Sequence, residues 1–249
     1  MSLLLLGGTA DARRLATKLH QQHIDVIYSV AGLVRQPAVE CRIVSGGFSQ
    51  FGGLSRYIKE QRITAILDAT HPYAATMSQT AREEAASHNI PCWRLSRLPW
   101  QAEKGDDWVE FNDWLTMLPE LMKKQTIFIS AGQVKACYLD QLLNHRVILR
   151  TAVQPTYELP NNVEWIKAIG PFNFNEEYRL LKQYKVDVMV SKNSGGEAVI
   201  AKIHAARELH VPVFMLTRPK IKTADKHFDD VAACLAYVLA HYPKKLNNK

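Results

Sequence analysis

With 249 residues, 47% of them apolar, the chain can bury a substantial core as one large or two small domains. Its formal charge of +7 favours polyanionic partners, yet the basic residues are scattered apart from Lys244, Lys245 and Lys249, which argues against a nucleic-acid-binding arm. No apolar run approaches the ~18 residues of a membrane span, and the leucines at 3–6 are too few, and lack the basic flank, for a secretory signal. Cys41, Cys92, Cys137 and Cys234 show neither a C-x-x-C pair nor a metal-ligand spacing, so they read as reduced, buried thiols. The expectation is a cytoplasmic protein with no metal site and no nucleic-acid or membrane partner.

Short β-type runs alternate with helical patterns, the signature of α/β folds with mostly parallel sheets and helical crossovers. In chain order the strands are predicted at 2–7, 25–30, 41–45, 63–68 and 91–95, then at 126–130, 146–152, 163–169, 186–191 and 211–216. Between the two series, Pro99–Gly105 leaves the pattern and carries mixed charge, which marks a linker and predicts two lobes, 1–98 and 99–249. A weak internal repeat aligns Ile90–Arg97 with Val211–Arg218 and, extended backwards, pairs Thr70-His71-Pro72 with Ser191-Lys192-Asn193. The chain closes with an amphipathic helix over Phe228–Tyr242, apolar at Phe228, Val231, Leu235, Val238 and Leu239.

The first strand runs into Gly7-Gly8-Thr9-Ala10 and a helix. That arrangement lets backbone approach a pyrophosphate and points free N–H groups at it, although only Gly7 is in register with G-x-G-x-x-G, and a plain strand-to-helix turn has the same form. The second strand ends in Ser29, where an NAD site carries an acid, with Arg35 a few residues on. A hydroxyl and a cation suit the 2′-phosphate of NADP(H) better than the free ribose of NAD(H).

In a doubly wound sheet the fourth strand lies beside the first, so Thr70-His71-Pro72-Tyr73 should stand opposite the glycine turn. His71 and Tyr73 are candidates for contact with nicotinamide or substrate, or for proton donation; equally, Thr70 or His71 could cap a helix begun by Pro72. Gly46-Gly47-Phe48 is a further close-approach loop, bordering ribose or adenosine or simply turning the chain.

In the second lobe Lys192-Asn193-Ser194-Gly195-Gly196 joins a strand to a helix start with a lysine beside the glycines, a set suited to a carboxylate and too incomplete for an NTP-binding P-loop. Ser130-Ala131-Gly132 and Gly170-Pro171-Phe172 also end strands in this lobe and would open towards the same cleft, or are simply turns. Arg94, Arg97, Arg150 and Arg218 are candidates for salt bridges to an acidic substrate. No H-E-x-x-H and no G-x-S-x-G occurs, so metallohydrolase and serine-hydrolase chemistry lack their parts.

Taken together, Gly7-Gly8-Thr9-x-Asp11-Ala12-Arg13, Gly46-Gly47-Phe48, Asp68-Ala69-Thr70-His71-Pro72-Tyr73-Ala74 with Met77-Ser78, Gly170-Pro171-Phe172, Lys192-x-Ser194-Gly195-Gly196 and Arg218-Pro219 resemble the precorrin-6A reductase family of cobalamin biosynthesis, including its cobalt-precorrin-6A variant. The resemblance implies two Rossmann-like lobes with the active site in the cleft between them. It also implies a reduced nicotinamide, commonly NADPH, delivering hydride to a carbon of a polycarboxylate macrocycle to give a dihydro product. On that footing Gly7, Gly8, Thr9, Ala10, Ser29, Arg35, Gly46, Gly47, Phe48, Thr70 and His71 would hold the cofactor. Ser130, Gly132, Lys192, Ser194, Gly195, Gly196 and Arg218 would bind substrate, and His71, Tyr73 and Lys192 would line the reacting centre, in a monomer or weak homodimer. Over Ala31–Pro37 the family more often shows G-R-T-x-x-P, so Arg35 is displaced from the family position. Outside the family, the same features suit another NADP-dependent reductase or epimerase of an acidic metabolite, or a dinucleotide-sensing module without turnover.

Overall fold

The computed structural model describes residues 1–32, 38–221 and 224–244. Ser2–Leu6 is apolar almost throughout rather than alternating, as a strand covered on both faces must be, and it forms the fully buried β1 (Ser2–Leu6). There follow α1 (Ala10–Gln21), β2 (Val26–Val30), β3 (Arg42–Ser45), α2 (Leu54–Glu60), β4 (Ile63–Asp68), α3 (Ala75–Ser87) and β5 (Cys92–Leu95). After them come β6 (Trp108–Phe111), α4 (Trp114–Leu121), β7 (Thr126–Ser130), α5 (Ala136–Leu139), β8 (Arg146–Thr151), β9 (Val163–Lys167), α6 (Phe174–Gln183) and β10 (Val188–Lys192). The last elements are α7 (Ala201–Glu208), β11 (Val213–Leu216), β12 (Lys226–Phe228) and α8 (Val231–His241). All the predicted strands form, with ends shifted by at most about two residues. β6 and β12 are not predicted: each is short and at least half exposed, as edge strands are.

The strands make two six-stranded parallel sheets, ordered β12-β5-β4-β1-β2-β3 and β6-β11-β10-β7-β8-β9. In each the strand order reverses beside the first strand of its series, β1 lying between β2 and β4, and β7 between β8 and β10. Such a reversal opens a crevice beyond the carboxyl ends of the strands. The strand that follows each series pairs in the other sheet: β6 comes after β5 but joins β11, and β12 comes after β11 but joins β5.

The chain accordingly divides into Met1–Leu98 together with the residues from Pro219 on, and Pro99–Arg218. The expected second lobe over 99–249 is corrected in its last part. β12 occupies the edge of β5, and α8 buries Cys234 and Val238 in the core built on Leu3, Leu5, Leu15 and Leu19. The closing helix also starts later than the apolar pattern predicts. Asp230 caps it, accepting from the Ala232 and Ala233 N–H groups at 2.7 and 2.9 Å, and Phe228 belongs to β12. The linker segment opens the second unit and is held there, because Asn193 receives the Trp100 N–H at 2.7 Å and donates to the Trp100 carbonyl at 3.0 Å.

The repeat is real at β5 and β11 but misaligned further back. Ile66 pairs with Cys92 and Met189 with Val213, which sets Asp68, not Thr70, level with Ser191. Of the cysteines, Cys41, Cys92 and Cys234 are buried, whereas Cys137 is exposed.

Phe228 is 7% exposed and packs with Tyr237 at a ring-centroid distance of 5.2 Å. Phe228→Ala is expected to cost about 3 kcal/mol in urea-induced unfolding, as core truncations of this size do; a loss below about 1 kcal/mol would mean that the terminal segment does not complete the first core.

Candidate functional site

The glycine turn is shaped by a residue that no motif marks. A Cβ on Gly7 would lie 2.3 Å from Cζ of Tyr28, so only glycine leaves room for that ring, which is fully buried on the neighbouring strand. The Tyr28 hydroxyl accepts the Gly8 N–H at 3.1 Å, and burial raises its pKa, which keeps the phenol neutral. Gly8 adopts φ +109°, and a Cβ there would meet nothing within 4 Å, so the turn presents bare backbone with open space beside it. Thr9 then caps α1, its Oγ1 accepting the Ala12 N–H at 3.0 Å and donating to the Ala69 carbonyl at 3.0 Å. The poor match to G-x-G-x-x-G has this explanation: Gly7 answers Tyr28, Gly8 answers a backbone angle, and a threonine cap stands where the second glycine would be. Asp11, in the first turn of α1, is paired with Arg14 and, at 2.9 Å, with Arg97.

Ser29 is buried at the end of β2, and its carbonyl receives the Gly7 N–H at 2.7 Å. Arg35 lies outside the described residues. At the sheet edge, the Gln50 amide fills the space beside Gly46 and donates to the Ser45 carbonyl at 2.7 Å. Gly47 opens a 3₁₀ turn in which Phe48 packs on Tyr57 with centroids 5.2 Å apart. Phe48 is thus a packing residue of its own loop.

Opposite the glycine turn, the loop after β4 is organised by Asp68. One carboxylate oxygen accepts the Thr70 N–H at 3.0 Å and the Thr70 hydroxyl at 2.6 Å, and the other takes the buried Arg94 guanidinium, which also reaches Ser78. Thr70, predicted to contact the cofactor, is therefore turned inward, and Arg94, a candidate for substrate, is spent on Asp68. Pro72 does not begin a helix. The Ala74 N–H donates to the His71 carbonyl at 2.8 Å, and α3 starts beyond Ala74 without a side-chain cap. That leaves His71 exposed, its Nδ1 accepting the Tyr73 N–H at 3.3 Å and its ring 5.6 Å from that of Tyr73. With Nδ1 as acceptor, Nε2 carries the proton.

In the second unit the expected residues gather at the ends of β7, β10 and β11. Lys192 Nζ lies 3.9 Å from where a Cβ of Gly132 would be, and Gly132 holds φ +77°. Burial lowers the Lys192 pKa. Ser194 is buried, and its hydroxyl has no hydrogen-bond partner among the described residues. A buried hydroxyl left in that state beside a lysine and two glycines is what an anion-binding loop offers. The loop leads into a 3₁₀ turn, Glu197–Val199, before α7, rather than straight into an α-helix. Arg218 braces it by donating from Nε to the Asn193 carbonyl at 2.8 Å. The Gly170-Pro171-Phe172 segment packs on the same 3₁₀ turn, with the Phe172 N–H donating to the Ala198 carbonyl at 2.9 Å.

Beneath these loops lies a charged cluster that sequence patterns did not assemble. Arg150 is buried, stacked 4.0 Å from the Phe172 ring centroid, and donates to Ser130 Oγ at 3.1 Å and to Glu177 with both guanidinium arms. It is a support and not the free substrate ligand expected of it. Lys202 on α7, 4% exposed, donates to the Ser130 carbonyl at 2.9 Å and to its hydroxyl at 3.2 Å. Desolvation, with Arg150 and Lys192 nearby, brings its pKa down to about 7. The only sequence signal for it is a lysine at an apolar position of a helix, between Ala201 and Ile203.

Two parallel sheets, each with an adapted loop at its strand-order reversal, place the chain among the doubly wound, Rossmann-like α/β proteins. The family model for precorrin-6x reductase CbiJ/CobK matches residues 2–239. A precorrin-6A reductase of Rhodococcus erythropolis is 34% identical over 241 residues, covering 95% of this chain and 96% of its own. A cobalt-precorrin-6A reductase of Priestia megaterium is 31% identical over 252 residues, covering 94% and 97%. The solved structure of CobK precorrin-6A reductase superposes with a TM-score of 0.89 at 30% identity, over 98% of each chain. This chain belongs to the precorrin-6x reductase family and is an oxidoreductase.

Gly7→Ala is expected to displace the Tyr28 ring and cost about 1–3 kcal/mol of stability, the range for an overpacked core. Adding Tyr28→Ala should make the glycine change nearly neutral, which a double-mutant cycle by urea unfolding will read. For Lys202 the folded pKa of about 7 lies below the unfolded value near 10.5, so between those limits the unfolded chain holds the extra proton and stability from this group rises with pH. The stability of Lys202→Met relative to the native chain should therefore fall as pH is raised from about 7 to 9; equal differences at both pH values would contradict the lowered pKa.

Proposed function

We propose that the chain reduces precorrin-6A, or its cobalt-bearing form, to the dihydro macrocycle with NADPH, acting in the cytoplasm as a monomer or weak homodimer. The first unit takes the dinucleotide and the second the substrate carboxylates. The observation that carries the reading is the Lys192–Gly196 loop, where a lysine, the buried Ser194 hydroxyl and two glycines follow one another at the end of β10. Many carboxylates on the macrocycle also accord with the formal charge of +7. No described helix is long and apolar enough to cross a membrane.

The residues at the first turn fit the cofactor: bare backbone at Gly8, open space beside it and a helix N-terminus whose acidic Asp11 is already paired with arginines. Ser29, in place of an acid at the end of β2, adds no negative charge beside a 2′-phosphate, which supports NADPH over NADH. When bound, the cofactor supplies the hydride. The chain's own part is to orient and to exclude water: Gly7–Ala10 and the loop after β4 fix one reactant, and Lys192, Ser194, Gly195, Gly196, Ser130, Gly132 and Arg218 fix the other. His71 holds a proton at Nε2 and stands with Tyr73 as the group that can donate a hydrogen bond to the reacting system.

Loss of reduced-nicotinamide absorbance on mixing enzyme with precorrin-6A or cobalt-precorrin-6A tests the activity, and substituting NADH tests the cofactor preference. Lys192→Ala should raise the KM for the macrocycle roughly tenfold or more, the value of a charged hydrogen bond, with little change in NADPH affinity. An unchanged KM would remove Lys192 from substrate binding, and dinucleotide binding without turnover would favour a sensor.

A further inference from the structure

The buried Lys202 is not explained by packing alone. A lysine inside a helix–sheet interface costs desolvation that an apolar residue of the same length would avoid, and two of the three charged groups acting on it oppose its charge. Those groups come from every side: Arg150 from β8, Glu177 from α6 and Lys192 from β10, with β7 contributing the Ser130 hydroxyl and carbonyl. The one carboxylate, Glu177, already accepts both arms of Arg150. An anion arriving at the Lys192 loop would add negative charge to this cluster: it would act through Lys192 and through the Ser130 turn on which Lys202 is bonded.

We propose that Lys202 is a positioning residue whose ammonium form ties the Ser130–Gly132 turn beneath Lys192, and that it takes up a proton when a carboxylate of the macrocycle occupies the Lys192–Gly196 loop. The proton comes from solvent and no covalent bond changes. The inference rests on the reading of that loop as the carboxylate site. Near neutral pH the free enzyme holds Lys202 partly unprotonated, and the bound enzyme holds it charged, so tighter binding of the polycarboxylate follows as pH falls towards 6.

Calorimetric titration of the full chain with uroporphyrin, a polycarboxylate tetrapyrrole, in buffers of differing ionisation enthalpy at pH 7 measures the protons taken up. The expected result is uptake of about half a proton, declining at pH 6, and absent in Lys202→Met, which should bind roughly three- to tenfold more weakly. The native chain binding without uptake, or uptake persisting in Lys202→Met, would overturn the proposal while leaving the loop assignment intact. Unweakened binding by Lys192→Ala would instead reject the loop. NADPH serves as the phosphate-bearing control: uptake on its binding that Lys202→Met abolishes would also overturn the proposal, because the loop would then be holding phosphate. Should Lys202→Met fail to fold, ¹³Cε-lysine NMR of the native chain carries the test. One lysine should titrate near pH 7 and shift upward by a unit or more with uroporphyrin; no such resonance would overturn the assignment.

Discussion

Arg94 and Arg150 each bury a guanidinium beneath the carboxyl edge of a sheet, and each is matched by one carboxylate, Asp68 and Glu177. An unpaired charge at either place would cost several kcal/mol, so both pairs must form for the edge to close. Their further contacts do the shaping. Arg94 reaches Ser78 while Asp68 fixes Thr70, which sets the loop carrying His71 and Tyr73. Arg150 reaches Ser130 and lies under Phe172, which joins the β7 turn to the segment that packs against the 3₁₀ turn at 197–199.

The two units solve one problem with different materials. In the first, the turn offers backbone: Gly8 without a side chain, Thr9 committed as a cap, and no lysine. That suits a pyrophosphate, whose charge can be answered by N–H groups and a helix dipole. In the second, a half-buried lysine and a fully buried one stand near the turn, in a setting where desolvation lowers both pKa values. The charge of a side-chain cation there changes with pH, whereas the backbone donors of the first unit have a fixed charge.

The exchange of edge strands follows from sheet edges. Five strands in each series leave β5 and β11 with one side open, and the next strand in the chain is used to cover the other sheet's edge. Nothing local in Trp108–Phe111 or Lys226–Phe228 announces this. Both runs are short, with no apolar–polar alternation to set a face, and either could pair anywhere by propensity alone.

By itself the sequence determined the class of fold, since short apolar runs such as Leu3–Leu6 alternate with helical patterns along the whole chain. It also determined which loops end the central strands, and its motifs sufficed to place the chain in its family. It singled out Lys192 and Gly132, and the fold sets the Lys192 ammonium beside Gly132. Only the tertiary structure decided that Tyr28 shapes the glycine turn, that Thr70, Arg94 and Arg150 face inward, that the last helix returns to the first unit and that Lys202 sits under Ser130. The physical reason is common to all of these. Strand periodicity reports whether a residue is covered, but which partner covers it depends on the pairing of strands far apart in the chain, and the cost of a buried charge or hydroxyl is settled only when that partner is known.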